Sequence, residues 1–263
     1  MNIVPAPACQ EKITPASEPG TFTARCGNGS GVVDPLRAAV VVSLLPEGGS
    51  EQAMAEVLPI RAEDPEENTI AYAVNTIRRG EIVAIPTDTL FCLVADPFNL
   101  AAVGKVYQAK SRAWDRSLPW IVESVEQVAD LAQHLPSRFY LLAHRYWPGP
   151  LTIIVEAAGS VPLKVTGNTG RLAVRQPSSP IPRRLLAQFG MPLIATSANV
   201  SGHPTCASAA EVQAMLGSQL SLILDSPIPA QQIATTVDLT VPTWRLIREG
   251  AISEEELREF LGE

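Results

Sequence analysis

Ile82-Val83-Ala84-Ile85-Pro86-Thr87-Asp88-Thr89 is the stretch whose reading decides the fold class. Four apolar residues in a row, mostly β-branched, read as a short strand buried on both faces, and Pro86 stops it abruptly. Such a strand needs helices against its sheet. Upstream, Asp64-Pro65-Glu66-Glu67 supplies an N-cap, a first-turn proline and two first-turn acids; Ile70, Ala73, Val74 and Ile77 then recur at helical spacing until Gly80. Downstream, the pattern predicts helices near 99–109, 125–133, 137–146, 181–189, 207–216 and 253–261, the last opened by a Ser253/Glu256 capping box. Strands are predicted near 118–122, 151–155, 171–175, 192–196, 220–224, 235–239 and 244–247. Alternating elements mean an α/β fold, and the closely spaced late strands favour a mixed sheet over an all-parallel one.

With 263 residues, 46% hydrophobic and 18% charged, the chain can bury a full core. Residues 1–63 are rich in Pro, Gly, Ser and Glu and have no sustained period beyond Ala38 to Leu45 (AAVVVSLL). They are expected to be a largely disordered extension, with the folded domain at 64–263; a short strand or helix docked on that domain is the alternative for the apolar run. No uncharged run approaches the roughly 20 residues of a membrane span. Lys12 is the first positive charge, and Pro5 and Pro7 interrupt any leader-like run, so the cytoplasm is the expected location. Cys9, Cys26, Cys92 and Cys206 share no metal-ligand spacing, and Cys92 reads as a small buried hydrophobe.

The net charge of −7 is unevenly spread: residues 105–184 hold 11 Lys and Arg against 5 Asp and Glu. A basic segment inside an acidic chain suits a compact anion better than a long duplex, although a solvated helix face gives the same count.

In open α/β sheets ligands bind beyond the carboxyl ends of strands, which singles out three exits. Pro86-Thr87-Asp88-Thr89 offers hydroxyls and a carboxylate. Thr196-Ser197-Ala198-Asn199-Val200-Ser201-Gly202 offers donors for phosphate oxygens or a ribose. Leu172-Ala173-Val174 runs into Arg175, whose planar fork can hold a carboxylate or phosphate. Each has a plain alternative: a capped turn, a capped helix start and a surface ion pair. Their coincidence with Lys110, Arg112 and Arg116 in KSRAWDR favours an anion site. There is no P-loop, no dinucleotide fingerprint and no nucleophile elbow, and His134, His144 and His203 lack paired metal spacing. The chemistry that remains is positioning and charge neutralisation of a phosphorylated ligand.

From Thr69 to Leu261 the chain resembles the YrdC-type L-threonylcarbamoyladenylate synthases, in their short, single-domain form. The motifs that carry the resemblance are PTDTLFCL (86–93), KVYQAKSR (105–112), WPGPLT (147–152), LAVRQP (172–177), TSANVSG (196–202), TTVDL (235–239) and IREGAI (247–252). The resemblance implies a twisted mixed sheet flanked by helices around a basic cavity, with 64–263 as the catalytic domain. It implies formation of threonylcarbamoyl-AMP and pyrophosphate from L-threonine, bicarbonate and ATP with Mg2+, for tRNA threonylcarbamoyl-adenosine. It implies that a tRNA-modifying transferase uses the product, and allows weak RNA binding but no membrane. By motif position Thr89, Arg175 and Thr235 are expected to hold threonine, and Lys110, Arg112, Arg116, Ser197, Asn199, Thr205 and Arg248 the ATP. No covalent nucleophile and no protein-fixed metal are expected. Two departures stand out: Ile121 replaces a histidine that some members bring to threonine, and Ala234 replaces the usual serine before Thr-Val-Val-Asp. They motivate a rival reading, a catalytically weak member that binds RNA or nucleotide. A carbamoyl phosphate-using domain of hydrogenase maturation is a second rival, disfavoured by the absence of zinc-finger spacing.

Overall fold

The computed structural model describes residues 54–228 and 232–262; the predicted run Ala38 to Leu45 lies outside them. The elements run β1 (Glu56–Pro59), α1 (Glu67–Arg78), β2 (Val83–Ile85), β3 (Cys92–Ala95), α2 (Leu100–Ala109) and β4 (Trp120–Ile121). They continue with α3 (Val125–Leu131), α4 (Ser137–Tyr146), β5 (Leu151–Glu156), β6 (Arg171–Arg175), α5 (Pro180–Phe189) and β7 (Leu193–Ser197). The last are α6 (Ala209–Leu216), β8 (Leu222–Asp225), β9 (Thr235–Asp238), β10 (Arg245–Arg248) and α7 (Glu254–Leu261). All ten strands join one sheet in the order β1-β8-β2-β3-β7-β4-β6-β5-β9-β10. It is mixed, as predicted: β2 pairs parallel with β8 and antiparallel with β3, while β4 pairs parallel with β6 and antiparallel with β7.

The deciding stretch behaves as its composition requires. Val83, Ala84 and Ile85 are wholly buried, with alternate side chains in different cores. Ile85 and Val83 meet Ile70, Val74 and Ile77 of α1 and Leu185 and Phe189 of α5 in one core. Ala84 belongs to the other, with Val106 of α2, Phe139 of α4 and Leu216 of α6. Each fully buried Ile, Leu or Phe contributes about 1.5–3 kcal/mol, so two filled faces hold the central strands in register.

Caps bear out part of the helix reading. Asn99 Oδ1 accepts from the backbone of Ala101 and Ala102 at 3.1 and 3.2 Å, and Ser253 Oγ from Glu256 at 3.1 Å. Gly80 turns at φ 78° just past α1. Asp64, however, is not the N-cap of α1; Glu66 occupies that position, and Asp64 pairs with Arg61 and Arg184 at 3.3 and 3.2 Å. The expected start at Asp64 is also corrected, because β1 precedes it and pairs parallel with β8. Strand β3 was not predicted either. The two escaped for different reasons: β1 carries Glu56 and Pro59 and becomes a strand through its partner β8, whereas β3 sits in an apolar run, Leu90 to Ala95, that meets the same test as 82–85 and was overlooked beside the motif that precedes it.

Candidate active site

The register of the sheet brings several strand ends to one place. Cys92 of β3 is opposite Ser197 of β7, and Ile121 of β4 is opposite Arg175 of β6. Beside them lies a cavity of about 200 Å³. Its wall is formed by Thr89, Leu90 and Cys92, by Trp120 and Ile121, by Thr152 and Arg175, by Ala195 to Ser197, and by Arg112, Pro119, Ala234 and Arg248. The ionised lining is three arginines with no carboxylate. Such a cavity draws in an anion and holds it in a partly dry setting where charge pairing is strong.

Arg175 is only 6% exposed at the end of β6. Its Nη2 lies 3.3 Å from Asp88 Oδ1 and its Nη1 3.5 Å from Asp88 Oδ2, while Ser178 Oγ donates to Oδ2 at 3.0 Å. The sequence alternative of a surface ion pair is therefore wrong in one respect: the pair exists but is buried. Thr89 is set by a tight hydroxyl turn. Thr87 Oγ1 donates to the Leu90 carbonyl at 2.7 Å and accepts from the backbone of Thr89 and Leu90, both at 3.2 Å. With that proton committed, the Thr89 hydroxyl donates to Thr87 across 3.1 Å and keeps its lone pairs for a ligand donor.

Arg112 follows α2 and donates to the Ser117 carbonyl at 2.7 Å. Arg248 donates to the Ala234 carbonyl at 3.0 and 3.3 Å from β10. Burial holds both guanidinium groups below their ordinary pKa; for Arg248 the neighbouring Arg175 adds to this. Both stay charged, and an anion placed between Arg175 and Arg248 relieves their repulsion. Ser197 Oγ lies on the wall and donates to Asn199 Oδ1 at 2.6 Å.

Five residues expected at the site lie off this cavity wall. Lys110 is 1% exposed and off the cavity wall; its ammonium donates to Ser197 O at 2.5 Å, Asn199 O at 2.9 Å and Asn199 Oδ1 at 3.1 Å. Burial, with Arg112 nearby, lowers its pKa to about 8, while the three acceptors work to keep it charged. Asn199 is occupied inside its own turn, donating from Nδ2 to the His203 carbonyl at 2.7 Å. Thr235 is fully buried, donates to Ile252 O at 2.6 Å and accepts from the backbone of Gly250 at 3.0 Å and Ile252 at 2.9 Å. Arg116 and Thr205 are exposed and off the wall. These residues shape the cavity's surroundings without lining it.

Sequence reasoning missed Thr152 and Trp120. Thr152, a buried hydroxyl among the apolar residues Leu151, Ile153, Ile154 and Val155 of β5, carried a signal as the last residue of WPGPLT. Trp120 carried none; it is wholly buried and its indole N–H has no hydrogen-bond partner among the described residues. The substituted Ile121 and Ala234 both line the cavity as apolar surface. Burial pushes the Cys92 thiol up, which makes it a buried hydrophobe, as expected, and a poor nucleophile. Among the described residues no cluster of three His, Cys, Asp or Glu could hold a metal, and no helix is long and apolar enough to cross a membrane.

The Sua5/YciO/YrdC family, described as telomere recombination, matches residues 75–250. The threonylcarbamoyl-AMP synthase of Pyrococcus abyssi is 36% identical over 199 residues, which cover 75% of this chain and 58% of that protein. The threonylcarbamoyl-AMP synthase of Vibrio vulnificus is 32% identical over 186 residues, 70% of this chain and 99% of its own length. The structure of P. abyssi Sua5 complexed with L-threonine matches with a TM-score of 0.76 and 34% identity, over 80% of this chain and 62% of that one.

Proposed function

The chain belongs to the Sua5/YciO/YrdC family, and from that membership and the cavity we infer that it is a threonylcarbamoyl-AMP synthase. One observation carries the reading: a buried arginine at a strand end and a threonine open onto one cavity lined by two further arginines. Arg175 takes the carboxylate of L-threonine, and Thr89 accepts from its polar groups. The amine adds the carbon of bicarbonate with loss of water, and an oxygen of the resulting carbamate attacks the α-phosphorus of ATP. Threonylcarbamoyl-AMP forms and pyrophosphate leaves.

Arg112 and Arg248 are placed to neutralise charge that builds on the phosphates, and Ser197 to hydrogen-bond the nucleotide. The cavity wall offers no carboxylate, so Mg2+ would be held by ATP itself and would supply further charge neutralisation there. The product supplies a transferase that modifies tRNA.

The test is incorporation of labelled bicarbonate. Label is expected in the nucleotide fraction only when threonine and ATP are both present. ATP or RNA binding by folded protein with no labelled product would overturn the synthase reading in favour of a binding-only member of the family.

A further inference from the structure

We propose that Asp88 is a positioning residue for Arg175, turning the Nε edge of the guanidinium toward the cavity, and that Ser178 sets the angle. This rests on the reading of the cavity as a threonine site. A guanidinium has two forks that can receive a carboxylate, one between Nη1 and Nη2 and one between Nε and an Nη. Asp88 addresses the first: its oxygens lie 3.3 Å from Nη2 and 3.5 Å from Nη1. No group among the described residues accepts a hydrogen bond from Nε. The second fork is therefore unoccupied, on a side chain that lines the cavity.

The Asp88 contacts are long for a paired fork, which closes to about 2.7–2.9 Å when fully engaged. Ser178 explains the stand-off, since its hydroxyl donates to Asp88 Oδ2 at 3.0 Å and shares that oxygen with the arginine. Asp88 Oδ1 is buried and accepts no hydrogen bond, so its interaction is purely the ion pair with Arg175. Such a carboxylate orients a buried cation and offsets part of its desolvation without saturating its donors. Asp88 is not on the cavity wall, so its effect on a ligand passes through Arg175.

Asp88→Asn and Ser178→Ala test this through threonine kinetics. D88N is expected to raise the KM for threonine about 10-fold or more, with kcat and the KM for ATP within about 2-fold. S178A is expected to shift threonine KM in the same direction by about 3-fold. The affinity ratio of L-threonine to L-threoninamide, which lacks the carboxylate, falls with it. A loss of stability alone would not move that ratio. Threonine KM that is unchanged or lower in D88N, or that rises together with ATP KM, overturns the proposal. If D88N does not fold, S178A decides, and an unchanged threonine KM there overturns it. Wild-type protein that neither binds nor uses threonine overturns both this proposal and the functional reading; an active wild type beside an unaltered D88N overturns only the role of Asp88.

Discussion

Beyond β2 and at the end of β6, Thr89 and Arg175 set polar side chains on the cavity wall; beyond β7 and at the start of β9, Asn199 and Thr235 turn theirs into the protein. Both regions carry polar residues that sequence motifs single out. The difference lies in what the nearby backbone needs. The turn after β7 leaves the carbonyls of Ser197 and Asn199 buried, and Lys110 satisfies them. The turn before α7 leaves the Gly250 and Ile252 amides and the Ile252 carbonyl together, and Thr235 satisfies all three. A buried backbone group without a partner costs about 1–3 kcal/mol, so such turns recruit the closest polar side chain. On the proposed reading the first region is recognition surface, and the second, behind the wall, is scaffold for the segments that carry Ser197 and Arg248.

The sharpest way to break this contrast is to change one residue of each kind. Arg175→Lys keeps a cation beside Asp88 but removes the planar fork. Threonine-dependent turnover is expected to fall about 100-fold or more while the melting temperature moves little. Lys110→Met is expected to do the reverse first. It leaves the Asn199 carbonyl without its donor, while Ser197 O and Asn199 Oδ1 keep Asn199 N and Ser197 Oγ, and it lowers stability by about 1–3 kcal/mol, read from denaturant titration.

The pH dependence of that second pair sharpens the point. Lys110 titrates near 8 when folded against an ordinary 10.5, so between those values the unfolded chain binds more protons. Unfolding free energy then rises with pH. The stability advantage of wild type over Lys110→Met is expected to widen by about 1–3 kcal/mol across that window, and a gap that narrows would show that the ammonium is not buried as described.

Thr235→Val comes next, with an expected loss of about 1–3 kcal/mol and a threonine KM within about 2-fold of wild type. A selective rise in threonine KM would move Thr235 to the recognition wall. The smallest effects belong to Arg116→Ala and Thr205→Ala. Both residues are exposed and off the wall, so ATP KM is expected to stay within about 2-fold in steady-state assays.

Much of the architecture could be read from residues alone. The buried run at 82–85, the Ser253 cap and the late cluster of strands all led to a mixed α/β sheet. Strand β1 escaped notice because a charge and a proline break its apolar pattern, and β3 because its apolar run follows directly on the polar turn that drew the reading. Of the residues on the cavity wall, the strand-exit rule singled out Thr89, Arg175 and Ser197, the basic segment Arg112, and motif position Arg248. None of these could tell that Lys110, Asn199 and Thr235 serve backbone groups, because their partners are assembled only by the folded turns. Asp88 shows the converse. It was in view as the carboxylate of the first exit, but its pairing with Arg175 depends on a loop meeting the end of a distant strand.

The account stands or falls on pyrophosphate release from ATP by the purified protein, measured with threonine and bicarbonate each present or omitted, in wild type and Arg175→Lys side by side. Wild type is predicted to release pyrophosphate only when both co-substrates are present, and Arg175→Lys to need far more threonine for a much lower rate. Release that ignores threonine, or no release from a folded protein that binds ATP, would contradict it.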